Sequence, residues 1–430
     1  MELKVDIQTL QDLRIFDTGD GGGIFDLYNR CVTRGGERLL RDMFQHPLSD
    51  LERIGERRQY FSFFMDKPHQ FPLDPHMLDV VERYIQDPPL AGRNGVQQLS
   101  EKDLQQAVRA TIYLFKTVRD YLHRDNIYQS FALSRRVREL FTWLDDSIFA
   151  PVYRDDSTAK LSFSAATAYD RLFRLQTNQQ IRILLKFVYE LDVWISVAEV
   201  SRCYGWALPE VHSKGSKKLE IEGLYHPELR QAVKNNVSMN QPTTMLFLTG
   251  ANMAGKSTFL RAFGTAIYLA HMGFPVAASK MSISLMDAIF TTINLPDNIG
   301  IGASHFYAEV LRVKQLAEWL QKGLHVFVIF DELFRGTNVK DAHEATVAVS
   351  KGFVKSLDSR FVISSHIVEA ASDLAHLDSV SFVYLPTVMV GLMPRYTYQL
   401  SEGVTDDRHG MMIIRNEGIL EVLANGNKLN

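Results

Sequence analysis

The residues with the clearest capacity for chemistry run from Gly250 to Thr258, in the order Gly-Ala-Asn-Met-Ala-Gly-Lys-Ser-Thr. Their spacing is that of a phosphate-cradling loop. Glycines let successive backbone N–H groups curl around an anion, and the start of a following helix adds partial positive charge. Lys256 is placed to reach the outer phosphates of a nucleotide, and the Ser257 hydroxyl to ligate Mg²⁺. A second signal is the apolar run 326–330 closed by Asp331 and Glu332. Asp331 is suited to hold the metal, and Glu332 to orient and activate an attacking water. Two smaller features point the same way. Ser304 precedes a helical stretch over 306–320, where its hydroxyl is either an ordinary cap or part of a second anion-binding end. His366 follows the apolar run 361–363 through two serines, either as a structural residue or as a contact to the terminal phosphate or the water. The run Gly19-Asp20-Gly21-Gly22-Gly23 has no preceding strand and no lysine, and reads as a flexible turn.

Such groups need a sheet edge to hold them, and the sequence supplies one. The apolar run 245–249 feeds the loop, which opens a helix; 325–330 is followed by a helix from 341, and 361–363 leads to His366. Short apolar strands that each feed a helix predict a doubly wound α/β domain. The tail 380–400 predicts a further antiparallel pair. Before residue 215 the pattern is helical: Leu104, Val108, Ile112, Phe115 and Val118 recur at three- and four-residue spacing, an amphipathic stripe. The segment 212–227 is expected to be a hinge between a helical domain, 1–215, and an α/β domain, 216–430. No repeat of solenoid length is apparent.

Composition sets the outer limits. With 430 residues, 46% hydrophobic and 23% charged, the chain has ample material for packed cores, which excludes disorder. Cys31 and Cys203 cannot form a disulfide framework or a four-ligand zinc site. The N-terminus lacks the apolar core of a secretion signal, and no apolar stretch reaches the length of a membrane span. A soluble, cytoplasmic protein is expected. The net charge of −3 argues against a simple basic nucleic-acid coat.

Taken together, 250–258, FDELFRGTN (330–338), GASHFYAEV (302–310) and VISSH (362–366) resemble the ATPase domain of the MutS family of DNA mismatch-repair proteins. Leu400-Ser401-Glu402-Gly403 is similar to a late motif of that family. Residues 189–211 are similar to its helix leading from lever to ATPase, and 9–13 and 24–59 to the start of its lever. The resemblance implies a helical lever-type domain followed by a doubly wound P-loop ATPase of the transporter (ABC) type, with ATP and Mg²⁺ as cofactors. It implies that Gly250, Asn252, Met253, Ala254, Gly255, Lys256, Ser257 and Thr258 bind phosphates, with Ser257 and Asp331 on the metal. Glu332 would serve the water and His366 would be the switch histidine. ATP would be sandwiched in a homodimer of ATPase domains, with Ser304 reaching the partner's nucleotide and Arg335-Gly336-Thr337-Asn338 along the seam. His226-Pro227 matches the motif before the base pocket, and Tyr398 falls where an aromatic or histidine would cover adenine.

The sequence also departs from the family pattern. Ala251 and Ala254 stand where proline and glycine are usual, Thr292 and Ala303 where arginine is, and His305 where threonine is. Residue 9 already matches the lever, so the mismatch-reading domain is expected to be missing, and the helical half is short for a lever with its DNA clamp. The expected function is an ATP-driven switch on DNA without mismatch selectivity. The alternatives are an ATP-binding scaffold whose helical arms hold protein partners, or an ATPase acting on recombination intermediates or structured RNA.

Overall fold

A computed structural model describes residues 1–16, 19, 22–86, 99–124, 135–154, 161–251, 253–293, 305–390, 393–405 and 418–425. The chain forms two compact units that interleave in sequence. One comprises Met1–Leu27, Phe44–Gln59 and Ser201–Asn430, the other Tyr28–Met43 and Tyr60–Val200. Residue 215 therefore falls inside the last segment of the first unit, which also takes in two segments from the N-terminal part of the chain.

The first unit is mixed. Its strands begin, in chain order, with β1 (Lys4–Val5), β2 (Glu210–His212), β3 (Leu219–Leu224), β4 (Asn235–Ser238), β5 (Met245–Gly250), β6 (Lys280–Ser284) and β7 (Ala288–Thr292). They continue with β8 (Val326–Phe330), β9 (Arg360–Ser364), β10 (Val380–Leu385), β11 (Thr387–Val390), β12 (Met393–Tyr396) and β13 (Ser401–Glu402). The main sheet runs β1-β7-β8-β9-β5-β10-β13, parallel throughout except for β13. Every residue of β5, β7, β8 and β9 is buried, which is why these segments are near-continuous apolar runs rather than alternating ones.

Helices pack on both faces of this sheet: α1 (Ile7–Asp12), α2 (Lys256–Met272), α3 (His305–Gln321), α4 (Val339–Phe353) and α5 (Glu369–Leu374). Val326, Val328 and Phe330 of β8 join a core with Leu316 and Trp319 of α3, Phe353 of α4 and Leu374 of α5. The opposite face carries α2, whose Phe263 meets Phe327 edge to face with centroids 4.9 Å apart. Each such side chain contributes about 1.5–3 kcal/mol by leaving water.

Two expectations change. Residues 212–227 do not form a hinge: Leu219-Glu220-Ile221-Glu222 alternates, and β3 pairs with β4 and β6 in a four-stranded sheet of order β2-β6-β3-β4. In the tail, β11 and β12 form the antiparallel pair, whereas β10 lies parallel to β5 in the main sheet. The physical reason is partial burial, because Val380, Val383 and Leu385 are covered where β10 lies between β5 and β13.

The second unit is helical, with its long elements at Pro75–Gln86, Glu101–Arg124 and, continuing into the first unit, Asn178–Tyr204. The predicted stripe Leu104, Val108, Ile112, Phe115 and Val118 is buried throughout. Tyr60 stacks on Trp194 at 4.2 Å, and the Asp192 carboxylate accepts from Thr33 Oγ1 (2.6 Å), Thr33 N (2.8 Å) and Val32 N (3.1 Å). A Cβ on Gly36 would lie 2.3 Å from Asp192 Oδ2, so only glycine lets the two segments approach this closely.

Candidate functional site

The site grows from strand ends at the carboxyl edge of the main sheet. β5 delivers Gly250 (φ +144°), and the loop turns through Met253 (φ +68°) and Gly255 (φ +98°) into α2. Ala251 and Ala254 do not adopt positive φ, so the exchange of proline and glycine for alanine adds no backbone strain there. Asn252 lies outside the described residues, as do Ala303 and Ser304. Gly255 is needed twice over. Its backbone is left-handed, and a Cβ there would lie 3.0 Å from the Tyr398 ring.

Lys256 is buried at the first turn of α2, and its ammonium donates to Gly250 O (2.9 Å) and Ala251 O (3.1 Å). Burial lowers its pKa, opposed by the nearby Glu332 and Asp331 carboxylates. The Ser257 hydroxyl donates to Asp331 Oδ2 at 2.5 Å. Asp331 reaches this position because its backbone N–H donates to Thr292 O (2.9 Å) on β7 and because Ser364, at the end of β9, donates its hydroxyl to Oδ1. Ser364 is a partner that sequence reasoning missed. It lies within the quoted VISSH segment, but only the sheet order, β8 beside β9, reveals its role.

Glu332 sits at φ +57°, a strained value for a non-glycine residue, and is held there by its N–H donating to Ser364 O and Oγ, both at 3.1 Å. Its two carboxylate oxygens are engaged separately. Oε1 lies 2.5 Å from His366 Nε2, and Oε2 accepts from Arg335 Nη1 at 3.1 Å. The His366 hydrogen bond foremost, with the Arg335 pair added and burial opposing, lowers the Glu332 pKa to about 2. Glu332 and His366, 34 positions apart, are thus brought together. Arg335, expected only along a dimer seam, touches the acid directly.

Beside the loop lies a cavity of about 320 Å³ lined by Ala254, Gly255, Thr258, Phe259, His226 and Tyr398 among others. Both residues assigned to a base pocket by resemblance therefore line a cavity that the loop also lines. Tyr398 is fixed from behind by Asn235, which donates to Tyr398 O (3.0 Å) and accepts from Leu400 N (2.6 Å). His226 is buried; desolvation first, then Arg261 and Arg14, lowers its pKa to about 4, so it is neutral at pH 7. Its Nδ1 accepts from Glu228 N at 3.4 Å, and its buried Nε2 has no hydrogen-bond partner among the described residues.

Chemically, the edge offers a ring of hard oxygen donors, one buried ammonium, and a carboxylate whose orientation is set by a histidine and an arginine. No group of three or more His, Cys, Asp or Glu side chains converges to cage a metal among the described residues. No helix among them is long and apolar enough to cross a membrane.

Fold and site thus define a mixed protein, a helical unit joined to a parallel-sheet unit with its polar groups gathered at the strand ends. Residues 8–198 match the family model of MutS domain III and residues 246–429 that of MutS domain V. The chain belongs to the MutS family. It is 26% identical over 495 residues to the DNA mismatch repair protein MSH7 of Arabidopsis thaliana, covering 97% of this chain and 43% of that protein. It is 28% identical to the DNA mismatch repair protein MutS of Persephonella marina over 54% of this chain and 27% of that protein. For the MutS of Petrotoga mobilis the values are 28%, 64% and 34%. The chain spans less than half the length of these relatives.

Proposed function

We propose that this chain is a Mg²⁺-dependent ATPase that uses ATP binding and hydrolysis as a conformational switch on DNA, working as a homodimer through its α/β units. The observation that carries this reading is the 2.5 Å hydrogen bond between Ser257 and Asp331, with Glu332 next in the chain, at the mouth of the Gly250–Thr258 loop. The donor set fits the metal. Mg²⁺ takes oxygen ligands, keeps several waters and is commonly held by one or two carboxylates plus substrate phosphates. A hydroxyl and a carboxylate oxygen converging, with no cage of three or more His, Cys, Asp or Glu side chains among the described residues, match that habit. Ser257 and Asp331 would hold the ion, which would supply positive charge to offset that of the nucleotide's phosphates.

The protein's own residues supply the rest. Lys256, which donates to two loop carbonyls, would exchange them for a phosphate held by the loop, where its hydrogen bonds to an anion are worth more than those to neutral carbonyls. Glu332 orients the attacking water, while His366 and Arg335 fix the carboxylate and screen its charge. The cavity beside the loop suits a nucleobase. Tyr398 offers a ring face, and the buried His226 Nε2 offers a polar contact that no group among the described residues meets.

Glu332→Gln and Lys256→Ala test the assignment. Glu332→Gln is expected to keep ATP affinity within about twofold and lower turnover ~100-fold or more. Lys256→Ala is expected to weaken nucleotide binding itself by about tenfold or more, the value of one charged hydrogen bond. Titration with a fluorescent ATP analogue and a phosphate-release assay separate the two, and unchanged turnover in Glu332→Gln refutes the role of that acid.

A second reading, a nucleotide-gated scaffold for protein partners, is favoured by the surface of the helical unit. There Arg38 pairs with Glu82 (2.5 Å), Arg119 with Asp145 (3.1 Å), and Arg34 with Asp79 (3.8 Å), which leaves these cations already matched to acids.

A further inference from the structure

Thr292 stands where the family resemblance expects an arginine, yet a guanidinium reaches it from elsewhere in the chain. Arg312, midway along α3, has a side chain only 13% exposed. Its Nη1 pairs with the Asp6 carboxylate and donates to Gln315 Oε1 (3.0 Å). Its Nη2 donates to Thr291 O (2.7 Å) and its Nε to Thr292 Oγ1 (3.3 Å). The guanidinium lies 3.9 Å from the centre of the Phe290 ring. A single side chain thus grips the last three residues of β7.

The same strand end is held by the N-terminal segment. Thr9 Oγ1 accepts from Thr291 N (3.0 Å), and Asp12 Oδ2 accepts from Thr291 Oγ1 (2.8 Å) and Ile293 N (2.9 Å). Asp6 does double duty, capping α1 by accepting from Thr9 N (2.9 Å) while pairing with Arg312. Thr292 O, on the residue that Arg312 fixes, in turn accepts the backbone N–H of Asp331 (2.9 Å). The carboxylate opposite Ser257 is therefore held in part by a strand end on which Arg312, Asp6, Thr9 and Asp12 converge.

We propose that Arg312 is a positioning residue for the metal carboxylate Asp331, acting through Thr291 and Thr292 and anchored by Asp6. This rests on the Mg²⁺-ATPase reading above. Asp331 would hold Mg²⁺ directly or through water, and because that ion tolerates little distortion of its ligand shell, the placement of this carboxylate would decide how well the ion is held. A planar fork with five donors can span a carbonyl, a hydroxyl and a carboxylate at once, which a lysine ammonium on a flexible stem does not reproduce. The role assigns a specific function to α3 beyond packing, because its Arg312 links that helix to the strand end that bonds the Asp331 backbone.

The test measures binding rather than turnover. A fluorescent non-hydrolysable ATP analogue is titrated into the full chain in EDTA and in excess Mg²⁺, and the ratio of the two Kd values gives the affinity gained from the metal. For Arg312→Gln we expect the Kd in EDTA to stay within twofold of the parent and the gain from Mg²⁺ to fall at least fivefold. Arg312→Lys should recover part of the gain. If thermal melting shows Arg312→Gln unfolded, Asp6→Asn, which keeps an acceptor for the α1 cap, takes its place with an expected loss of at least twofold. A gain equal to the parent's, or an equal loss of affinity with and without Mg²⁺, overturns the proposal, the second because it marks a merely structural role. A parent chain that binds no nucleotide, or gains nothing from Mg²⁺, overturns the ATPase reading itself and this inference with it.

Discussion

Glu332 carries an unusual combination for a side chain expected to work on water: a left-handed backbone, a histidine on one oxygen and an arginine on the other. The strain and the pairing together give a carboxylate that stays ionised well below neutral pH and is held from both oxygens. Because its pKa is lowered from 4.5 to about 2, the stability it contributes is fully present above pH 4.5 and is lost as pH falls through about 2. His366→Asn removes the largest cause of that shift. In this variant the Glu332 carboxyl should titrate closer to the ordinary range. Carboxyl ¹³C NMR, with Glu332→Gln to assign the signal, reads this directly. A titration midpoint that stays near 2 would show that Arg335 and the backbone suffice without the histidine.

At the scale of elements, α2 links the loop at its start to the sheet architecture at its end. His271, wholly buried near its C-terminus, donates from Nδ1 to Ile267 O (2.8 Å) and accepts from Met286 N (2.9 Å) at Nε2. The neutral ring ties the helix to the connection between β6 and β7. Burial lowers its pKa to about 4. Since the unfolded chain protonates this histidine near 6.5, its contribution is intact above pH 6.5 and is lost as pH falls toward 4. The expected slope is about 1.4 kcal/mol per pH unit for each histidine of this kind; the similarly depressed His226 adds to it. Urea melts at pH 7.0, 6.0 and 5.0 should show this slope, shallower in His271→Gln. At pH 7 that variant should lose ~1–3 kcal/mol if it leaves the Met286 N–H unpaired. Equal slopes in both proteins would mean that His271 does not resist protonation.

For the molecule as a whole, the proposed switch on DNA makes a prediction about charge. The net charge is −3, and arginines of the helical unit face acids. Exposed pairs of this kind are worth only ~0–1 kcal/mol, so DNA phosphates can displace the carboxylate partners. The DNA reading therefore predicts binding that depends on nucleotide state and weakens with salt. The plot of log affinity against log salt should have a slope of about −3 or steeper, corresponding to three or more phosphates. Fluorescence anisotropy on a labelled duplex from 50 to 300 mM salt, with and without ATP, provides the measurement. A slope near zero in both states would transfer the assignment to a protein partner held by the helical arms.

Much of the site was legible in the sequence because local chemistry dictates it. A glycine-flanked loop between a buried strand and a helix, and an apolar strand closed by two acids, have few physical uses. Lys256, Ser257, Asp331 and Glu332 stand at one edge as their spacing predicts. The helical stripe from Leu104 to Val118 was equally readable, since burial on one face imposes a helical period. What only the tertiary structure decided is everything that depends on strand order and on contacts across hundreds of residues. That β9 lies between β8 and β5 makes Ser364 a partner of Asp331 and brings His366 to Glu332. That residues 1–27 belong to the sheet unit, with β1 as its edge strand and Asp6, Thr9 and Asp12 at the end of β7, leaves no local signature. The same is true of Arg312 meeting Asp6 across 306 positions. Period and motif report what each segment needs to bury or bind, whereas the partner that satisfies it is fixed only when the segments compete for the same core.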